Sequence, residues 1–150
     1  MPRPRNCRNI KGPPLISAFK PVGTPARCLK SVTISLDEFE AIRLADHEGL
    51  EHEEASKLLG ISRSVFTRLV EKARQKIADA LINGCAIIIE GGDYHFQCDY
   101  YRCLKCFAVI ERSFSENPPV NCPNCGSEDI KHLNEHYGGR GHCRRHGGNI

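Results

Sequence analysis

Cys103-Leu104-Lys105-Cys106 and Cys122-Pro123-Asn124-Cys125-Gly126 are separated by fifteen residues, and no other feature of the chain narrows its fold as far. A two-residue gap lets both thiolates of one turn point at the same ion, and the intervening residues make a hairpin that returns to it. This is the spacing of a zinc ribbon. Phe107-Ala108-Val109-Ile110 reads as the strand leaving the first knuckle, Asn117-Pro118-Pro119 as the turn, and Cys98 to Tyr101 as the entering strand. About sixty residues lie beyond Glu90, and so small a module buries little apolar surface. A structural metal supplies ~10–16 kcal/mol of apparent binding energy in such cases. The expected ligands are Cys103, Cys106, Cys122 and Cys125, and the expected ion is structural Zn2+. Four thiolates leave no open position for water, so the chain is not expected to be an enzyme. A rubredoxin-like iron site is the lesser reading: glycine belongs after both knuckles, and Gly126 fits where Phe107 does not.

The chain has nine cysteines, an odd number unevenly spread, which makes a poor disulfide framework. Charged residues are 26% and hydrophobic residues 40%, as in ordinary globular chains. The longest aliphatic run, Ala86-Ile87-Ile88-Ile89, falls far short of the ~20 residues of a membrane span. Met1-Pro2-Arg3-Pro4-Arg5 has no apolar stretch behind it, which argues against a secretory signal. Metal-binding thiols in a reducing cytoplasm, on the nucleoid and away from membranes, are the expectation.

The net charge of +3 is unevenly placed. Met1 to Leu36 has seven bases and no acid, Asp37 to Gly60 has eight acids, and Ile61 to Ile82 returns to five bases against two acids. Alternating blocks of this kind build a nucleic-acid face on a nearly neutral protein. Prolines exclude regular helix before about Val32. From Ser35 to Leu81 there is none, and the periodicity is helical. Ser35 and Glu38 form a capping box for a helix over about Leu36 to Ala45. A second helix spans Leu50 to Leu59, with Ala55, Leu58 and Leu59 inward, and Gly60 ends it. Ser62 caps a third, whose Val65, Phe66, Leu69, Val70, Ala73, Ile77, Ala80 and Leu81 make one buried stripe. The small Ala55-Ser56 pair, the corner glycine, Ile61 as plug and the basic outer face describe a helix-turn-helix. Arg63, Ser64, Thr67 and Arg68 should meet base edges, while Lys72 and Arg74 hold phosphates. An ordinary helical hairpin with solvated charges is the plainer alternative.

Gly60-Ile61-Ser62-Arg63 through Glu71-Lys72-Ala73-Arg74 resembles the promoter-reading helix-turn-helix of bacterial sigma factors, their region 4. More closely, Met1 to Arg5, Phe19-Lys20-Pro21-Val22-Gly23, Leu36 to Ala41, Arg43-Leu44-Ala45-Asp46 and Asn83-Gly84 to Glu90-Gly91-Gly92 resemble the UPF0251 (DUF134) family. That resemblance covers about Met1 to Gly92 and implies a small prokaryotic DNA-binding protein. Some members carry a domain similar to iron–molybdenum cofactor carriers, whereas this chain continues into cysteine pairs.

The expected architecture is therefore mainly α at the N-terminal side and β at the C-terminal side. A basic, Pro-rich arm (1–34) precedes a helix-turn-helix domain (35–92) with a short C-terminal strand. A zinc ribbon (93–137) and a flexible Gly/His/Arg tail (138–150) follow. Arg3, Arg5 and Arg8 are candidates for an arm that tracks the minor groove or the phosphates. His142, Cys143 and His146 are a weaker second metal set, Cys7, Cys28 and Cys85 read as structural or incidental, and His47 and His52 read as exposed. The function expected is a sequence-specific regulator of transcription bound to double-stranded DNA, with a homo-oligomer compatible with it. The alternatives are a redox or metal-handling protein, and an accessory factor docking on RNA polymerase through the ribbon.

Overall fold

The structure is a computed structural model that describes residues 7–143 and 148–149, with side chains for 7–141. Arg3 and Arg5 of the expected arm and Arg144, Arg145 and His146 of the tail lie outside the described residues. So do the side chains of His142 and Cys143. The elements run β1 (Arg8–Ile10), β2 (Ala18–Phe19), β3 (Ser31–Ile34), α1 (Leu36–Ile42), α2 (His52–Leu59) and α3 (Arg63–Asn83). Then come β4 (Ala86–Ile89), β5 (Tyr94–Phe96), β6 (Asp99–Cys103), β7 (Val109–Arg112), β8 (Ile130–His132), β9 (His142–Cys143) and β10 (Gly148–Asn149). Two compact units result: Ile16–Gly92, and Met1–Leu15 with Asp93–Ile150.

The unit 16–92 contains three helices, but it is not plainly α. Val32-Thr33-Ile34 and Ala86-Ile87-Ile88-Ile89 are rich in β-branched residues, which suit a pleated surface. β3 pairs parallel with β4, from Ser31↔Ala86 to Ile34↔Ile89, and β2 adds antiparallel on the other side of β4. A parallel pair needs a long crossover, and all three helices form it. The expected arm over 1–34 is thus corrected: it holds strands β1, β2 and β3, and Arg8 lies in β1.

Ser35 caps α1, accepting the Glu38 N–H at 3.4 Å. The Glu38 carboxylate is engaged by Lys76 of α3 at 2.9 Å, so an ion pair stands where the reciprocal half of a capping box would be. Beyond Ile42 the helix widens into a π turn over Arg43–His47. On α3, Phe66, Val70, Ala73 and Ala80 are buried, as their spacing predicts. Leu81 is not: it is 74% exposed, because the 21-residue α3 overruns the 8-residue α2 and the 7-residue α1 beside it.

In the other unit, β6 is the centre of an antiparallel sheet ordered β7-β6-β8. Alternation places Tyr101, Cys103 and Ile110 inward. β1 pairs parallel with β5, setting Ile10 opposite Phe96. Tyr94 and Phe96 pack with tilted rings at 5.1 Å and Tyr137 meets Phe96 edge-on at 6.1 Å, giving this unit an apolar core that the small-module argument did not anticipate. Asn134, fully buried, accepts the Tyr100 N–H at 2.9 Å and donates to Cys98 O at 3.1 Å. Within the tail, β9 and β10 pair antiparallel. Cys7 is disulfide-bonded. Among the described residues no helix is long and apolar enough to cross a membrane.

Candidate functional site

The two cysteine turns repeat one hydrogen-bond pattern. In the first, the Cys103 N–H donates to Ala108 O at 2.9 Å and the Phe107 N–H to Cys103 O at 3.0 Å. In the second, the Cys122 N–H donates to Ser127 O and the Gly126 N–H to Cys122 O, both at 2.8 Å. The turn requires a left-handed residue after the second cysteine. Gly126 supplies it with φ 77°, and Phe107 adopts φ 63° although it has a Cβ. A non-glycine residue there costs ~1–2 kcal/mol. The missing glycine therefore does not break the knuckle, and the sequence argument against iron loses its force.

The sulfurs of Cys103, Cys106, Cys122 and Cys125 all lie within 4.8 Å of one another. Cys103 Sγ is 3.5 Å from Cys125 Sγ, and Cys106 Sγ is 3.6 Å from Cys122 Sγ. Metal–sulfur bonds of about 2.3 Å in a tetrahedron set sulfurs about 3.8 Å apart, so the cluster fits one ion. The N–H groups of Cys106 and Lys105 hold the Cys103 thiol below its ordinary value. Hydrogen bonding from Asn124 and the Ala108 backbone brings Cys106 down to about 6. Cys125 stands at about 11: the Ser127 N–H favours its thiolate, but desolvation and the other three sulfurs outweigh it. Four thiols this close share their protons, and a cation that bound all four would displace them.

The second candidate surface is on α3. Gly60 takes φ 74° and closes α2, and Ile61 N–H returns to Ser56 O at 3.0 Å. Ser62 then caps α3 by accepting the Val65 N–H at 3.3 Å. Ala55, Ser56 and Phe66 are all buried. Arg63, Ser64, Arg68, Lys72 and Arg74 are exposed and Thr67 is half-buried. Arg74 is not at liberty: Asp46 accepts from it at 3.0 and 2.5 Å. That bidentate pair holds the Asp46 carboxyl below its usual range and raises the guanidinium of Arg74. His52, expected to be exposed, is half-buried with its Nδ1 2.8 Å from Thr67 Oγ1. Neither Asp46 nor His52 announces itself in the sequence, because each meets α3 across the tertiary fold rather than at helical spacing.

With both surfaces in view, comparison with known proteins is decisive on kinship. The family profile described as "Protein of unknown function DUF134" matches residues 1–97. A UPF0251 protein of Moorella thermoacetica is 44% identical over 147 residues, covering 98% of this chain and 95% of the relative. The chain belongs to this family. A second UPF0251 protein, from Chloroherpeton thalassium, is 43% identical over 97% of this chain and 95% of its own length. One from Caldicellulosiruptor bescii is 43% identical over 97% of each. UPF0251 relatives thus align across the cysteine pairs too, well past the Met1 to Gly92 segment that carries the sequence motifs. No solved structure matches the chain.

Proposed function

We propose that this UPF0251 member is a sequence-specific double-stranded DNA-binding protein, a regulator of transcription, whose ribbon is held by one structural zinc ion. The observation that carries the reading is the exposed start of α3. Beyond the left-handed Gly60 corner, Arg63, Ser64, Thr67 and Arg68 occupy the first two turns, and Lys72 follows one turn later. In a helix-turn-helix those turns enter the major groove, and the cation further along reaches phosphate. Among the described residues no ion pair engages Arg63 or Lys72, unlike Arg74. The role is binding rather than catalysis: the four-thiolate set fills a tetrahedral ion and leaves it no position for water or substrate. The ribbon's exposed Leu104, Phe107 and Val109 also support a protein contact, such as RNA polymerase, as a second role for that unit.

Selection of bound duplexes, followed by titration across salt concentrations, tests the reading. Lys72→Ala should weaken binding about equally on all sequences and lower the salt slope by ~1, since one phosphate contact releases about one counterion. Arg63→Ala should instead relax the selected motif at particular base pairs by ~1–3 kcal/mol. An unchanged motif and affinity in Arg63→Ala would remove the recognition-helix assignment. Purified protein should be colourless with stoichiometric zinc; coloured protein carrying iron would move the ribbon to electron transfer.

A further inference from the structure

His52 opens α2, and its ring lies across the turn against α3. Its Nδ1 is 2.8 Å from Thr67 Oγ1, and its ring meets the fully buried Phe66 edge-on, centroids 5.3 Å apart at 71°. The aromatic contact fixes the plane of the imidazole, and the hydrogen bond fixes the rotamer of the threonine. A helical threonine commonly bonds the carbonyl one turn back. Thr67 bonds another element instead.

We infer that His52 is a positioning residue that sets the hydrogen-bond sense of Thr67, so that Thr67 selects an A·T pair at one position of the target. This rests on the DNA-binding reading above. A hydroxyl has one hydrogen and two lone pairs. A neutral histidine with its proton on Nε2, the tautomer favoured in water, accepts at Nδ1, and the Thr67 O–H is then spent on it. What Thr67 retains for a ligand is acceptor lone pairs and a γ-methyl group. In the major groove an A·T pair offers both complements, the adenine N6 amino group and the thymine methyl. A G·C pair offers acceptors at guanine O6 and N7, which a hydroxyl without a free hydrogen cannot satisfy, and its cytosine N4 amino group comes without the methyl. Without His52 the hydroxyl turns freely and can donate to those acceptors, and the discrimination falls.

The test is a double-variant cycle on the full-length, metal-loaded protein, read by selection from a random duplex pool and by affinity for the A·T and G·C versions of the winning site. His52→Phe keeps an aromatic ring against Phe66 and removes the nitrogen; helical circular dichroism reports its folding. Thr67→Val removes the hydroxyl and keeps the methyl. Each single variant should relax the same base pair by about tenfold, leaving the salt slope unchanged. The double variant should relax it no further, because His52 acts through Thr67. A merely structural His52 would weaken binding at every position and would add to Thr67→Val. Retention of the A·T preference in Thr67→Val, or additive effects in the double variant, overturns the inference while leaving DNA binding in place. Wild-type protein that binds no duplex overturns both.

Discussion

At the scale of single residues, the exposure of α3's charged side chains was legible from helical spacing, but their engagement was not. Arg74 sits on the open side as the wheel predicts, yet Asp46 holds it from 28 positions away. No local periodicity encodes a contact between a π turn and a helix that folding brings together. The pair also changes what Arg74 can do, because a guanidinium already bidentate on a carboxylate must exchange partners to reach a phosphate. Asp46→Asn should therefore release Arg74 and steepen the salt dependence of DNA binding by ~1 counterion. An unaltered slope would take Arg74 out of the phosphate-binding set. The same variant should lose under ~1 kcal/mol of stability, since both partners are substantially exposed. The pH dependence has a definite sign. Asp46 is held below its ordinary value, so the pair's contribution is full above the unfolded aspartate value of about 3.9 and disappears as pH falls through the lower folded value. Melting temperatures of wild type and Asp46→Asn should differ at neutral pH and converge in strong acid.

Among the elements, the knuckles were the most legible, because metal geometry dictates the cysteine spacing and little else satisfies it. The apolar core of the same unit was not. Tyr94 and Phe96 share β5, but Tyr137 joins them from far along the chain, and β1 comes from the N-terminal end to pair with β5. That core alters the expected response to metal loss. Four thiols without a cation favour opening of the two turns, whereas the aromatic cluster needs no metal to exclude water. Cys106→Ser combined with Cys125→Ser should abolish stoichiometric metal and remove amide-exchange protection from the turns around residues 103–108 and 122–127. Protection of Phe96 and Gln97, whose N–H groups are bonded to Arg140 O and Ile10 O, should persist. Loss of protection at both places would make the metal the nucleus of the whole unit. A milder change probes the turn alone. A Cβ at Gly126 would meet nothing within 4 Å, so Gly126→Ala costs only the left-handed strain, ~1 kcal/mol, measurable by chelator competition.

For the molecule as a whole, one compact unit ends at Gly92, in the glycine pair, and strands precede Ser35. The prolines there exclude helix but not strand, and Val32-Thr33-Ile34 has the β-branched composition of one. Its partner β4 lies beyond three helices, so only the crossover reveals the pairing. Lys76 of α3 also donates to Thr33 O at 2.9 Å, tying the helices to that strand. These contacts predict how fragments behave. Residues 16–92 should fold alone, with the helical circular dichroism of the full chain and DNA binding that keeps its sequence preference. Residues 1–92 should melt at the same temperature, because β1 belongs with β5 and gains nothing without it. Residues 35–92, the helices and β4 without β2 and β3, should be destabilised by several kcal/mol. Both neighbours of β4 are then gone, and a run of three isoleucines is left with unpaired backbone edges that favour aggregation. Thermal melts of the three fragments, with light scattering, decide the matter. A fragment 35–92 as stable and soluble as 16–92 would mean that the helices stand without the sheet, and the parallel crossover would be incidental to the fold.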